Sequence, residues 1–345
     1  MRQGKNIKIF INYFLGPLLF AWLSISIYHQ LTAQTHLAES WQHIRQSFYS
    51  PRIGYLLLAT VLMGVNWGLE AAKWKVSVRD IHAISFVQAF KAVLSGVSIS
   101  VTMPNRVGEY IGRMMYMPEG KRLKIIAVTL VGSGAQLLVT LAAGAFGLIV
   151  LKEDLVRSGL INPIFFTPLL IGVGAVILIL TLFYFNLARI ERWLESLVGR
   201  ASWFYLIQAV KGFGLQRLLL ILFLSAARYA IFVVQYILLF WLFEVEVSAA
   251  TLIWSMSLVF LALAVIPTVA VVVEFGVRGE VCLQVVGLFT TNSLGILLTS
   301  VSIWVMNLII PALIGSLLIL GLKIFKRREG AHISKVANGE NDGTI

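Results

Sequence analysis

Charge is scarce in this sequence: Asp, Glu, Lys and Arg make up 13% of its 345 residues, roughly half the share of an ordinary soluble domain. A water-facing surface cannot be built from so little, so a soluble globular enzyme is excluded. Cysteine is rarer still. Cys282 stands alone and rules out an internal disulfide framework. The histidines, His29, His36, His43, His82 and His332, show no metal-ligand spacing, and neither a metal nor a cofactor is expected. Acidic residues are outnumbered, and the net charge of +12 raises the question of nucleic acid. Nucleic-acid binding needs a basic stripe interleaved with aromatics on a soluble surface, and the sequence has none. Its Lys and Arg residues instead sit at the ends of apolar runs, where they meet anionic headgroups.

What the sequence has is apolar length: 59% hydrophobic residues and a mean hydropathy of +0.87. A helix needs about 20 apolar residues to cross the roughly 30 Å hydrocarbon core of a bilayer. Six runs reach that length: Ile9 to Tyr28, Ile53 to Ala72, Ile125 to Leu151, Leu160 to Ala188, Leu218 to Phe243 and Leu294 to Leu322. No A-x-A-like cleavage site follows the first, which reads as a retained helix rather than a signal peptide. Two further stretches, Ser85 to Met117 and Ala249 to Phe289, are apolar but interrupted by Pro, Gly and charge. The expected fold is an all-α polytopic membrane protein of about 6 to 8 transmembrane helices plus two interrupted or re-entrant segments.

Sidedness follows from the basic residues. Nineteen of the 28 fall on the side of the N-terminus, and four (Arg45, Arg52, Lys152, Arg157) on the other. The remaining five, Lys91, Arg106, Arg113, Arg228 and Arg278, lie within membrane segments. Both termini are therefore expected in the cytoplasm, with the protein multi-pass in the plasma membrane, the inner membrane of a bacterium. Residues 189–217 mix charge with Trp and Leu, as an amphipathic helix in the cytoplasmic headgroup plane does. Residues 1–329 read as a single transmembrane domain, and 330–345 as a short disordered tail.

The order helix, helix, interrupted segment, helix occurs twice, over about 1–151 and about 160–326, the second time from the opposite face. Two inverted-topology repeats are expected, with binding groups on the broken helices at their interface. Pro104, Gly108, Pro267, Gly276 and Gly279 mark the irregular backbone, which is tolerated at membrane depth only inside protein or beside a wet cavity.

The charges cluster in these same stretches. Arg106, Glu109 and Arg113 are spaced to share one helix face, Glu274 and Arg278 are four apart, and Glu280 points elsewhere. Arg228 lies mid-span with no carboxylate in its own helix, so it requires a partner from another. Arg106, Arg113, Arg228 and Arg278 are the candidate ligands of a lipid phosphate, since a guanidinium donates two parallel hydrogen bonds and stays charged. Glu109, Glu274 and Glu280 would balance charge or exchange protons. The competing reading is that all are ion pairs locking the broken helices together. Glu70 beside Lys73, together with Trp41, Trp74, Trp193 and Trp203, reads as interfacial anchoring, Lys91 as snorkelling, and Asn307 with Pro311 as a kink in the last span.

At MPNRVGEYIGRMMYMP and IPTVAVVVEFGVRGEVCLQVVG the chain resembles the lysylphosphatidylglycerol synthase transmembrane-region family of flippase-like membrane proteins. The first family pattern matches at Pro104, Arg106, Gly108, Glu109 and Arg113, and the second at Pro267, Thr268, Gly276, Val277, Arg278 and Gly279. Lys73 stands where the family has an Arg before Trp74, and VVVEFG where many members have Pro-Gly-Gly-x-Gly. The resemblance implies a membrane module that, in two-part relatives, moves aminoacylated phosphatidylglycerol between leaflets after a cytosolic domain makes it. That synthase domain is not expected here. The leading expectation is thus a lipid flippase for a phospholipid or polyprenyl phosphate, with no catalytic residue. The alternatives are a membrane glycosyltransferase or lipid-modifying enzyme of a polyprenol-linked pathway, using Glu109, Glu274 or Glu280 as acid or base, and a non-catalytic membrane partner.

Overall fold

The computed structural model describes residues 49–102, 107–187, 210, 212–266 and 271–321, and every regular element among them is a helix. Helix α1 (Ile53–Val78) is followed by α2 (Phe86–Thr102), α3 (Val107–Met114) and α4 (Arg122–Val150). A short α5 (Lys152–Arg157) and α6 (Pro163–Phe185) lead to α7 (Leu215–Leu242), α8 (Ala249–Val265) and α9 (Val271–Val286). Helix α10 (Ser293–Trp304) continues through a π turn at Val305–Ile309 and on to Gly321. Five helices, α1, α4, α6, α7 and α10, are long and apolar enough to cross a membrane. The expected run Ile9 to Tyr28, nearly all of the amphipathic segment before α7, and the tail 330–345 lie outside the described residues.

Helix α6 shows why the chain belongs in lipid. Only 6% of its most apolar window is buried, and Ile164, Phe165, Ile171 and Ile179 face outward. In water such a surface would drive association, whereas in hydrocarbon it is matched to its solvent.

Helices α1 and α7, which hold the same place in the two halves, run antiparallel. Along α1 and α7, Arg52 pairs with Glu244, Tyr55 packs against Trp241, Gln235 bonds to Ala59, Arg228 to Asn66 and Arg217 to Val76. One number rises as the other falls. Equivalent helices pointing in opposite directions are what inverted repeats require. The halves also exchange packing partners. On α4, a Cβ at Gly144 would stand 2.6 Å from Leu261 Cβ of α8, and one at Gly147 3.0 Å from the Trp254 carbonyl. On α10, a Cβ at Gly315 would overlap the Leu94 carbonyl of α2. Small residues let backbones approach where lipid gives no hydrophobic drive for helices to associate.

Helices α2 and α3 form a hairpin that enters and leaves on one side. Gly108 abuts Ile99 and Ser100, Gly112 abuts Gly96 and Ser95, and Ser95 bonds to Tyr116 at 3.0 Å. With eight residues α3 rises only about 12 Å, far less than the roughly 30 Å core. Its counterpart is longer: α8 and α9 have 17 and 16 residues, about 25 Å each. Gly108, Gly276 and Gly279 stand inside helices, and Pro104 and Pro267 lie outside the described residues.

The ends of α1 and α7 are tied by side chains that satisfy last-turn carbonyls. Arg217 is buried at one end, donating to Val76 O (3.0 and 2.7 Å) and Ser77 O (2.7 Å), pairing with Asp80, and covering the Phe213 ring at 4.1 Å. This corrects its expected place at the edge of a surface helix: the fork of Arg217 is the C-cap of α1. At the other end, Asn292 accepts from Gly295 N (2.8 Å) as the N-cap of α10, and donates to Phe243 O and Glu244 O (3.0 and 3.1 Å). Glu244 takes a left-handed backbone (φ 57°), closing α7 in the position that glycine usually fills. Asn292→Ala removes the cap and both carbonyl bonds, and is expected to cost about 1 to 2 kcal/mol. A thermal melt in detergent checks it.

Candidate functional site

Polar residues are placed at mid-depth by four of the five membrane-length helices among the described residues, α1, α4, α7 and the α10 span. Asn66, Gln136, Arg228 and Asn307 each lie within one residue of the midpoint of α1, α4, α7 and the α10 span. A polar side chain half-way along an apolar helix needs partners: Gln136 Nε2 donates to the Ser225 carbonyl (3.4 Å), and Arg228, Asn66 and Asn307 are linked to one another. Arg228 Nε donates to Asn66 Oδ1 (2.9 Å), Asn66 Nδ2 to Asn307 Oδ1 (3.2 Å), Asn307 Nδ2 to Gln235 Oε1 (3.3 Å), and Gln235 Nε2 to the Ala59 carbonyl (2.9 Å). The π turn that presents Asn307 lies four residues before Pro311, which has no N–H to return to the Asn307 carbonyl.

One turn along α1 from Asn66 is Glu70, the hub of the site. Its carboxylate accepts from Lys73 Nζ at 2.7 Å, Arg113 at 2.9 Å and Arg228 at 3.0 Å. Arg113 also reaches Glu109 at 3.4 Å. Three cations from α1, α3 and α7 thus converge on two carboxylates, a local excess of one positive charge among the described residues. Glu70, Lys73 and Arg113 are only 5%, 3% and 4% exposed. Arg228 and Glu109 are the accessible members, each with a side chain 23% exposed, and Arg228 lies 5.2 Å from the Trp67 ring. An isolated charge at such a depth costs several kcal/mol, which the shared carboxylates offset.

The expected site residues are brought together only in part. Arg113, Glu109 and Arg228 meet, and Arg228 finds its carboxylate in Glu70. The pairing of Glu70 with Lys73 forms as the spacing predicts, but in the interior. Glu70 and Trp74 (1% exposed) are therefore core residues, not interfacial anchors. Arg278 is buried on α9 and donates to the Tyr236 hydroxyl at 3.1 Å, next in sequence to Gln235 of the network. Glu280 accepts from Gln284 at 3.0 Å on its own helix. Lys91 is exposed on α2. Arg106 lies outside the described residues, as does the side chain of Glu274. Reasoning from charge alone passed over Asn66, Gln136, Gln235 and the full role of Glu70. The signal that finds the first two is polarity at the midpoint of an apolar run.

The family model for the lysylphosphatidylglycerol synthase TM region matches residues 13–315, a range that includes all of these helices and both interrupted stretches. No curated protein matches the chain. A match over most of the sequence, on an all-helical polytopic membrane fold, shows that the chain belongs to the lysylphosphatidylglycerol synthase TM region family.

Proposed function

We propose that the protein carries a phosphate-bearing lipid headgroup between leaflets, with Arg113, Arg228 and Lys73 taking the phosphate at mid-depth. The observation that carries this reading is the convergence of three cations, two of them buried, on Glu70 between α1, α3 and α7, in the kind of mid-depth seam where secondary transporters bind their cargo. Glu70 is the internal anion of the site: both of its oxygens are engaged by cations that a phosphate would also bind. Headgroup and carboxylate compete for the same donors, so cargo can enter without leaving a buried cation bare. Arg suits the exchange because its fork can release one oxygen pair and take another. Arg278 and Arg106 belong to the proposed path, with Glu109, Glu274 and Glu280 as its charge-balancing carboxylates. The bias of basic residues supports cytoplasmic termini in a plasma membrane.

The test is headgroup movement in proteoliposomes, read by how fast a fluorescent phospholipid becomes accessible to an impermeant quencher. Arg228→Gln is expected to slow it roughly 10- to 100-fold, the worth of one charge-assisted contact. Unchanged movement by an Arg228→Gln protein that elutes and melts like the wild type sinks the reading in favour of a structural ion-pair network.

A further inference from the structure

The charged groups of the hub differ in whether they can change charge. Arg113 and Arg228 carry guanidinium groups, which stay protonated, whereas the Lys73 ammonium can give up its proton. Glu70 and Glu109 could each gain a proton, but that would enlarge the positive excess of three cations over two carboxylates. Release from Lys73 is the single-proton change that brings this set to neutrality. Lys73 is placed for it. Its side chain is 4% exposed, and Nζ lies 2.7 Å from Glu70 Oε2, the oxygen that also accepts from Arg228 at 3.0 Å. Among the described residues the charged groups that meet it are Glu70 on its own helix, Arg113 on α3 with Glu109 behind it, and Arg228 on α7. Where α4 passes Lys73 it presents Gly132, whose Cβ would stand 3.7 Å from Lys73 Cε. Helix α2, which brings Phe86 against Gly68 of α1, has Lys91 as its one charged residue, and that side is exposed. A proton leaving Nζ crosses the 2.7 Å bond to the Glu70 carboxylate and reaches the edge of the hub, where Arg228 and Glu109 have side chains 23% exposed.

Resting on the reading of the hub as a phosphate seat, we propose that Lys73 is the site of a transported proton, so that each headgroup phosphate crosses together with one proton. A phosphodiester carries a single negative charge, and it brings the hub with Lys73 protonated to neutrality. When the headgroup leaves, the Lys73 ammonium passes its proton to water on the same side and becomes an amine. The empty hub then returns neutral. Both forms that cross are uncharged, whereas any other pairing of cargo and proton moves an uncompensated charge through the membrane interior, which is costly. The combined movement carries no net charge. A pH difference therefore drives it and a membrane potential does not.

The full chain is reconstituted in phosphatidylcholine vesicles with a trace of acyl-labelled fluorescent phosphatidylglycerol, used as a phosphodiester of single charge. An impermeant quencher reads the share of label in each leaflet, with protein-free vesicles as the baseline. With a pH difference of one unit and no potential, the wild type is expected to enrich the label on the alkaline side by up to about tenfold, one decade for one proton per lipid. A potassium diffusion potential at equal pH should leave its distribution unchanged. Lys73→Arg and Lys73→Met each fix the charge at this position, so in both the lipid crosses as a bare anion: the distribution should follow the potential and ignore the pH difference. A lysine that only supports the fold predicts slower movement with the drive unaltered. Binding of the labelled lipid in detergent gives a readout that needs no movement. As pH rises and Lys73 loses its proton, wild-type affinity should fall by up to about tenfold per pH unit, while Lys73→Arg binds with no such slope. A wild type driven by potential, a variant still driven by pH, or equal slopes in wild type and Lys73→Arg overturns the proton site and leaves the phosphate seat standing. A wild type that neither binds nor moves the lipid takes the phosphate seat down with it.

Discussion

Glu70→Ala is expected to be the most damaging single change in the membrane interior, costing about 3 to 5 kcal/mol. The side chain is 5% exposed and bonded at 2.7 to 3.0 Å to three cations from three helices. Its loss leaves Lys73, Arg113 and Arg228 facing one another, with Glu109, at 3.4 Å from Arg113, the remaining carboxylate paired with them among the described residues. Uncompensated buried charge, not a missing contact, is the source of the penalty. The effect should therefore depend on charge balance. Removing a cation together with the anion, as in Glu70→Gln with Lys73→Met, is expected to recover more than half of the loss. Thermal melts of the purified variants in detergent give both values. If Glu70→Ala melts with the wild type, the hub is held by something other than this carboxylate. Glu109→Ala provides the scale, because the bond of Glu109 to Arg113 is longer and its side chain is partly exposed, and its effect should be the smaller.

The long helices were legible because hydrocarbon imposes a single requirement on length and composition, and each described apolar run became a helix within a few residues of its expected ends. The two interrupted stretches were legible for the complementary reason: Pro, Gly and charge cannot continue an apolar span, and both stretches are helix pairs. Partners across helices were not legible. Spacing within one helix shows that Lys73 can reach Glu70, but nothing in it says that Arg228, 158 positions away, closes on the same carboxylate. Glu70 also lies near the end of the apolar run as hydropathy draws it. The helix in fact continues to Val78, because α7 covers it and Arg217 caps its last turn. Arg217 itself was hidden by composition: a basic residue after an amphipathic stretch reads as surface until a helix end arrives that needs its donors. The neutral amides Asn66, Gln136, Gln235 and Asn307 carry no hydropathy signal strong enough to interrupt a span. Their meaning appears only when α1, α7 and the α10 span bring Asn66, Gln235 and Asn307 together and α4 sets Gln136 beside the Ser225 carbonyl.

The second large effect is expected at Gly112, where the α2–α3 hairpin leaves no room for a side chain. A Cβ there would overlap the Gly96 backbone and crowd Ser95, and main chain, unlike the tip of a flexible side chain, cannot rotate away. Gly112→Val is expected to cost about 3 kcal/mol or more, at the top of the usual range for overpacking. The consequence reaches the site directly. Arg113 is the next residue, and its bonds to Glu70 and Glu109 depend on how closely α3 lies against α2. The variant should lose lipid retention along with stability, and a lipid-binding measurement below the melting temperature separates the two. Gly134→Ala is the control, since a Cβ there meets nothing within 4 Å and the substitution favours the helix by about 0.5 to 1 kcal/mol. A Gly112→Val protein that melts and binds like the wild type would mean that the hairpin can open without cost. Close packing of α2 on α3 would then not be what positions Arg113.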